Sequence, residues 1–308
     1  MASSTAIATA RAHDAAVYGA AGTHSNLRSF LDSVTPVVKA HTVPMASYLP
    51  LSNGYYEKIA DGVRCFYLGD LWNSFYEWSA CGVGTSVCIA PGETVVQYFV
   101  PYLSAIQLYT NTRNAPVSQS MIYDGRFDRN NHYSVGMYTH GYQAPLRMPT
   151  IGVEGKGELF FKYFEPDSPY ERIPFADKVY ELCYSCPSLS SLSSAELSPS
   201  SWMSVFWYPT SHVPMKNRKD LNTCFLTYHS LSTCKDIVAL DSMQAFNHMS
   251  LAPFGLATYK LDAKVWASPN SGDQEHISSL FDASQSWLKE HNIHHYDFNY
   301  FAHRCSSK

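Results

Sequence analysis

The chain has 308 residues, a hydrophobic fraction of 45%, a charged fraction of 16% and a formal net charge of −4. That charge balance lacks the basic footprint of a nucleic-acid binder. So few charges beside 22 Tyr, 16 Phe and 6 Trp exclude a disordered chain, because aromatic side chains carry large apolar areas into cores and interfaces.

The first 24 residues are expected to form a flexible tail. Their Ala, Ser and Thr content, with Asp14 the sole acidic residue, also resembles an organelle transit peptide, which keeps the chloroplast open as a compartment. Ser25 is placed to cap a short helix carrying Leu27, Phe30, Leu31 and Val34, which Pro36 ends. An extended stretch follows, with turn signals at Pro44, Pro50 and Asn53-Gly54.

The next helix reads Asp70 as N-cap, then Leu71, Trp72, Phe75 and Trp78 at helical spacing, with Gly82 and Gly84 ending it. Thr94 to Tyr109 reads as two strands broken at Pro101. Residues 111–156 show no sustained period and are expected to be a long loop insertion, a length that is usually functional or disordered. A strand is expected over Leu159–Phe164 and a helix from Pro174 to Cys186, with proline suited to the first turn.

Ser188 to Ser201 reads as a serine-rich connector, and Ser188, Ser190, Ser193 and Ser194 are candidate phosphorylation sites within it. The competing reading is a turn whose serines bond their own backbone. Three β-like runs follow, Met203–Tyr208, Thr223–His229 and Leu256–Leu261. The last helix has Ile277, Leu280, Phe281, Ser284, Trp287 and Leu288 at a 3.6-residue period, with Ser271 or Asp273 as cap.

Strands and helices in unequal blocks predict an α+β fold. It should be a single domain with a largely antiparallel sheet packed against about four helices. The expected organisation is tail 1–24, one domain 25–303 with the 111–156 insertion, and a second tail 304–308.

No stretch of 18 apolar residues occurs, so a soluble chain without a membrane span is expected. The eight cysteines are scattered through a long chain, and free thiols in the cytoplasm or nucleus are the expectation.

The run YLGDLWNSFYEWSACGVGTSV from Tyr67 to Val87 resembles the hallmark of a plant family catalogued as domain of unknown function 789. SNLRSFLDSVTPVV (Ser25–Val38), FKYFEPDSPYERIPFADKV (Phe161–Val179) and LSPSSWMSVFWYP (Leu197–Pro209) continue the likeness in order. It extends from Ser25 to about His303. The resemblance implies a plant source and one intact family domain, and supplies no catalytic residue. Lys216, Arg218 and Lys219 stand where that family is expected to have a more neutral turn.

No standard catalytic word is present: no G-x-S-x-G elbow, P-loop, H-E-x-x-H or dinucleotide fingerprint. His291, His294 and His295, with His303 and Cys305, invite a metal reading, but they match no zinc signature and suit a helix C-terminus; neither metal nor cofactor is expected. Cys183-x-x-Cys186 falls at a helix end where the dipole disfavours a thiolate. Asp70 and Glu77 are the candidate acid–base pair.

The expected function is therefore a non-catalytic protein-interaction or regulatory domain, with protein partners and no nucleic acid. Its working surfaces would be the 111–156 loop and the segment holding Asp70, Trp72, Glu77, Trp78, Gly82 and Gly84. The alternative is an enzyme of unrecognised type acting on a small polar substrate.

Overall fold

The computed structural model describes residues 25–44, 61–110, 121–122, 157–210, 222–233, 237–239, 247–267 and 271–305. The turn signals at Pro50 and Asn53-Gly54, almost all of the 111–156 insertion and the Lys216–Lys219 cluster lie outside these residues.

The chain begins with helix α1 (Asn26–Val34), and Ser25 caps it by accepting the Arg28 N–H. Strands β1 (Val37–Lys39), β2 (His41–Pro44) and β3 (Asp61–Cys65) lead to α2 (Leu68–Cys81). Then come β4 (Val83–Ala90), the long β5 (Glu93–Thr110), β6 (Met121–Ile122) and β7 (Glu158–Phe164). Helices α3 (Phe175–Ser185) and α4 (Ser188–Ser191) precede β8 (Trp202–Thr210), β9 (Cys224–Ser230), β10 (Ile237–Ala239), β11 (His248–Ser250) and β12 (Gly255–Tyr259). Helices α5 (Ala263–Trp266), α6 (Asp273–Glu290) and α7 (Tyr296–Cys305) complete the described chain.

Among the described residues the main sheet has seven strands in the order β12-β9-β8-β5-β7-β6, with β4 also on β5, and every pair is antiparallel except β6 with β7. Two smaller sheets, β1-β11 and β10-β3-β2, sit beside it. The protein is thus an α+β chain with a largely antiparallel sheet. Seven helices, rather than about four, are present among the described residues.

Both faces of the sheet are covered, which is why β8 is buried without alternation over Trp202–Trp207 and β9 over Cys224–His229. Met203, Val205, Trp207 and Phe225 face a core shared with α1, α2 and α3. Trp202, Phe206, Leu226 and Tyr228 face a second core closed by Leu288 of α6 and by Phe298 and Phe301 of α7. Phe30 is central to the first core: it stacks on Phe225 at 4.0 Å and meets Phe99, Trp207 and Trp266 edge-on.

Four details correct the sequence reading. Pro101 does not break its strand. The ladder from β5 to β4 ends at Phe99 and the ladder to β7 begins at Ala105, so Pro101 sits where only β8 pairs with β5. Its missing N–H is accommodated on the unpaired side.

Asp70 is not the cap of α2. Tyr67 holds that position and Asp70 lies in the first turn, where its charge still suits the helix dipole. Gly82 does end the helix, at φ 73° with its N–H on the Trp78 carbonyl, but Gly84 already belongs to β4. The cap position of α6 is Gly272 at φ 72°; Ser271 Oγ accepts the Asp273 N–H and Asp273 is the first helical residue.

Helix α6 crosses β12 very closely at one point. A Cβ on Gly255 would overlap Ser284 Oγ and lie 3.2 Å from Ser284 Cβ. Gly255→Ala is therefore expected to cost about 1–3 kcal/mol in urea unfolding, as overpacking does. Adding Ser284→Ala should recover part of the loss, and an unchanged midpoint in Gly255→Ala would show that the crossing yields freely.

Candidate functional site

The α2 segment named from sequence divides between core and surface. Trp72 is buried, and its indole N–H donates to the Leu189 carbonyl at 2.9 Å. Trp78 is half-buried and packs against Phe75 and Trp207. Asp70 Oδ2 lies 3.1 Å from His41 Nε2, whereas Glu77 points into solvent two turns further on. The two carboxylates therefore share no cleft and form no acid–base pair. What α2 shows to solvent is Asn73, Tyr76, Glu77, Ala80 and Cys81.

The second helix of that layer behaves alike. Phe175, Val179 and Leu182 of α3 point inward, while Asp177, Tyr180, Glu181 and Tyr184 point outward. Phe75 stacks on Phe175 at 4.1 Å, and Ser79 Oγ accepts the Ala176 N–H at 3.0 Å. At the other end of α2, a Cβ on Gly69 would lie 2.8 Å from the Ser190 carbonyl oxygen. The start of α3 thus meets the end of α2, and the chain just past α3 meets the start of α2. The helices are antiparallel neighbours with their outer faces side by side.

The serine-rich connector is a structural seam. Ser194 Oγ accepts the Phe66 N–H and lies 2.8 Å from Thr233 Oγ1. Ser201 Oγ accepts the Tyr109 N–H and donates to the Tyr109 carbonyl. These short hydroxyls join α2's approach, β5 and the end of β9, satisfying backbone groups that burial would otherwise leave unpaired. Of the four candidate phosphorylation sites, Ser188 and Ser190 are exposed on α4, whereas Ser193 and Ser194 are buried.

The histidines at the end of α6 do not converge. His291 stacks on Trp287 at 3.9 Å, His294 Nε2 lies 3.1 Å from Asn299 Nδ2, and His295 turns inside. Among the described residues, no three His, Cys, Asp or Glu side chains are grouped to hold a metal ion. Burial pushes the thiols of Cys183 and Cys186 above their ordinary range, the opposite of an activated thiolate.

His295 instead anchors a buried polar cluster that sequence reasoning missed. Ser104 of β5 donates to Asp297 Oδ2, and Arg172 grips the same carboxylate with two bonds of 2.7 and 2.8 Å. His295 Nδ1 accepts the Phe298 N–H at 3.0 Å, so the ring proton sits on Nε2, 3.0 Å from Ser204 Oγ and 3.3 Å from Ser104 Oγ. Tyr228 closes the cluster beside the ring.

Burial alone would raise the Asp297 carboxyl, but the Arg172 fork outweighs it and holds the group below the usual aspartate range. Burial also lowers His295 to about 4, so the ring is neutral near pH 7.

Serine, histidine and aspartate in one place suggest nucleophilic catalysis, and the wiring denies it. A catalytic base takes the serine proton on Nε2 while its Nδ1–H donates a hydrogen bond to the carboxylate. Here Nδ1 is occupied by the start of α7, Nε2 is the donor, and serine bonds the carboxylate directly. Ser104, Ser204, Tyr228 and His295 are at most 2% exposed, so no substrate reaches them. The cluster fastens α7 and the 165–172 loop to the second face of the sheet. Its sequence signal was faint: Arg172 and Asp297 are 125 positions apart.

The family model that matches the chain covers residues 25–301 and is described as "Protein of unknown function (DUF789)". No curated protein and no solved structure matches the chain.

Proposed function

The chain belongs to this DUF789 family of proteins of unknown function, and on that footing we propose that it is a non-catalytic protein-interaction domain working through the outer face of α2 and α3. The observation that carries this reading is where the aromatics lie. A chain that buries Trp202, Trp207, Trp266 and most of its phenylalanines leaves Tyr76, Tyr180 and Tyr184 exposed by 70, 75 and 81% on two adjoining helices. Large exposed rings gathered on one face mark contact surfaces, and tyrosine is enriched in them.

Catalysis through Ser104, Ser204, His295 and Asp297 is disfavoured, because the fold seals these groups and wires them the wrong way round. The free thiols of Cys65, Cys81, Cys88, Cys183, Cys186 and Cys224 support a reducing compartment, cytoplasm or nucleus. Among the described residues no helix is long and apolar enough to cross a membrane. A plant source remains part of the proposal, carried by the likeness in the Tyr67–Val87 run.

The test is site-specific photo-crosslinking in cells of the source organism. Benzoylphenylalanine at Tyr76 or Tyr180 is expected to give adducts of defined mass, and at the exposed Ser279 of α6 to give none. The same diffuse background at all three positions would end the proposal.

A further inference from the structure

The geometry points to an extended, basic, proline-containing segment of a partner protein as the occupant of the α2/α3 face, an inference that rests on the interaction reading above. Charge is the first argument. The two helices carry Asp70, Glu77, Asp177 and Glu181 against a single cation, Lys178. Lys178 is drawn inward: its ammonium lies 3.2 Å from Glu181 and 5.8 Å from the centre of the Tyr163 ring, and its side chain is only 16% exposed. The outer face is therefore acidic, with Glu77, Asp177 and Glu181 flanking the tyrosines.

The kind of apolar surface is the second argument. A helical partner would need a groove of aliphatic side chains for its own apolar stripe. On α2 and α3 the exposed large apolar residues are tyrosines. Each offers a flat ring and a hydroxyl donor. A polyproline II strand matches that pair of features: it presents pyrrolidine rings, and its backbone carbonyls have no internal partner.

Spacing is the third argument. Tyr180 and Tyr184 stand one turn apart, a rise of about 6 Å along α3. Two residues of polyproline II advance by roughly the same distance, at about 3.1 Å each. Tyr76 stands on the neighbouring α2. Its helix partner Ser79 meets Ala176 at the start of α3, which sets Tyr76 level with the Val179–Tyr180 turn. Arginines interleaved with the prolines would reach Glu77, Asp177 and Glu181 by charge-assisted bonds.

The experiment uses the full chain and fluorescence polarisation of a fluorescein-labelled peptide of four Pro-Pro-Arg repeats. Two controls replace each Arg by Glu, or each Pro by Gly at unchanged charge. The Arg peptide is expected to bind saturably, the Glu peptide not at all, and the Gly peptide at least fivefold more weakly.

The double variant Tyr180→Ser/Tyr184→Ser is expected to weaken binding at least tenfold. Tyr170→Ser, on an equally exposed tyrosine away from these helices, should leave it unchanged. Circular dichroism melts check that each variant folds, as exposed side chains allow.

Equal binding of the Gly peptide would reduce the effect to charge attraction and overturn the inference. So would equal binding by the double variant, or no saturable binding of any peptide. If the peptides fail while cross-links at Tyr76 and Tyr180 persist, the partner class is wrong and the interaction surface stands. If the cross-links fail too, the interaction reading falls with it.

Discussion

Replacing Asp297 by alanine is expected to lower the unfolding free energy by roughly 3–5 kcal/mol, the cost of leaving a buried charge without its partner. The Arg172 side chain is only 3% exposed and lies 5.5 Å from the centre of the Phe206 ring, so losing Asp297 leaves its charge enclosed without that partner. Asp297→Ala also takes the acceptor from Ser104. The expected signature in urea unfolding is a large drop in midpoint. A second variant separates charge from packing: Arg172→Met with Asp297→Leu removes both charges and should lie well above the single mutant, because an apolar pair of similar volume often replaces a buried ion pair at little cost. A single mutant within 1 kcal/mol of the parent would mean that water reaches the cluster and that it does not clamp α7.

Acid is expected to unfold the protein in a window that carboxylates alone would not give. His229 and His295 are both fully enclosed, and burial lowers each to about 4. His229 is satisfied as a neutral ring: Nδ1 donates to the Leu251 carbonyl and Nε2 faces Thr227 Oγ1. His295 is faced by Asp297, Arg172 and His294, and the neighbouring Asp297 only partly offsets its burial.

Because each folded value lies below the unfolded one near 6.5, the unfolded chain binds more protons between those limits. Their contribution is complete above about pH 6.5, declines as pH falls toward about 4, and is fully lost below that, at roughly 3 kcal/mol for each histidine. Asp297 has the depressed carboxylate's behaviour, so its share is lost at still lower pH, through and below the ordinary aspartate range. Urea midpoints measured from pH 7.5 to 4 should slope downward across the histidine window, and His229→Gln should flatten about half of that slope. A flat profile between pH 7 and 4.5 would show that both rings are hydrated.

The parts of the fold that announced themselves did so by local physics. Ser25 caps α1 through a bond three residues long, and the Ile277–Leu288 spacing of α6 is a pattern any amphipathic helix shows. Helix α7 was not legible, because what starts it is not local patterning. His295 accepts the Phe298 N–H as a capping side chain would, but it holds that pose through Ser204 on β8, 91 positions away.

Pro101 misled for a related reason. The rule that proline interrupts a strand is sound, and only the staggered ends of two neighbouring ladders cancel it here. At the surface, Glu77 and Trp72 were named together as one working segment, and only burial separates the exposed Glu77 from the enclosed Trp72. Tyr180 and Tyr184 escaped notice because their place beside α2 is set by packing between α2 and α3, as at Ser79 and Ala176, 97 positions apart.

The long strand β5 has a consequence for how a partner would be received. It carries β4 along one stretch and β7 along another, and runs beside β8 across both. Neither end of the sheet can part from the other without exposing backbone groups of the strand they share. Helices α2 and α3 therefore rest on a floor that opens only with the whole domain. Tyrosines on such a floor are presented in place before any partner arrives. Association would then draw little on the backbone freedom of this chain and mostly on that of the incoming segment, which an already extended proline-rich strand has least of to lose.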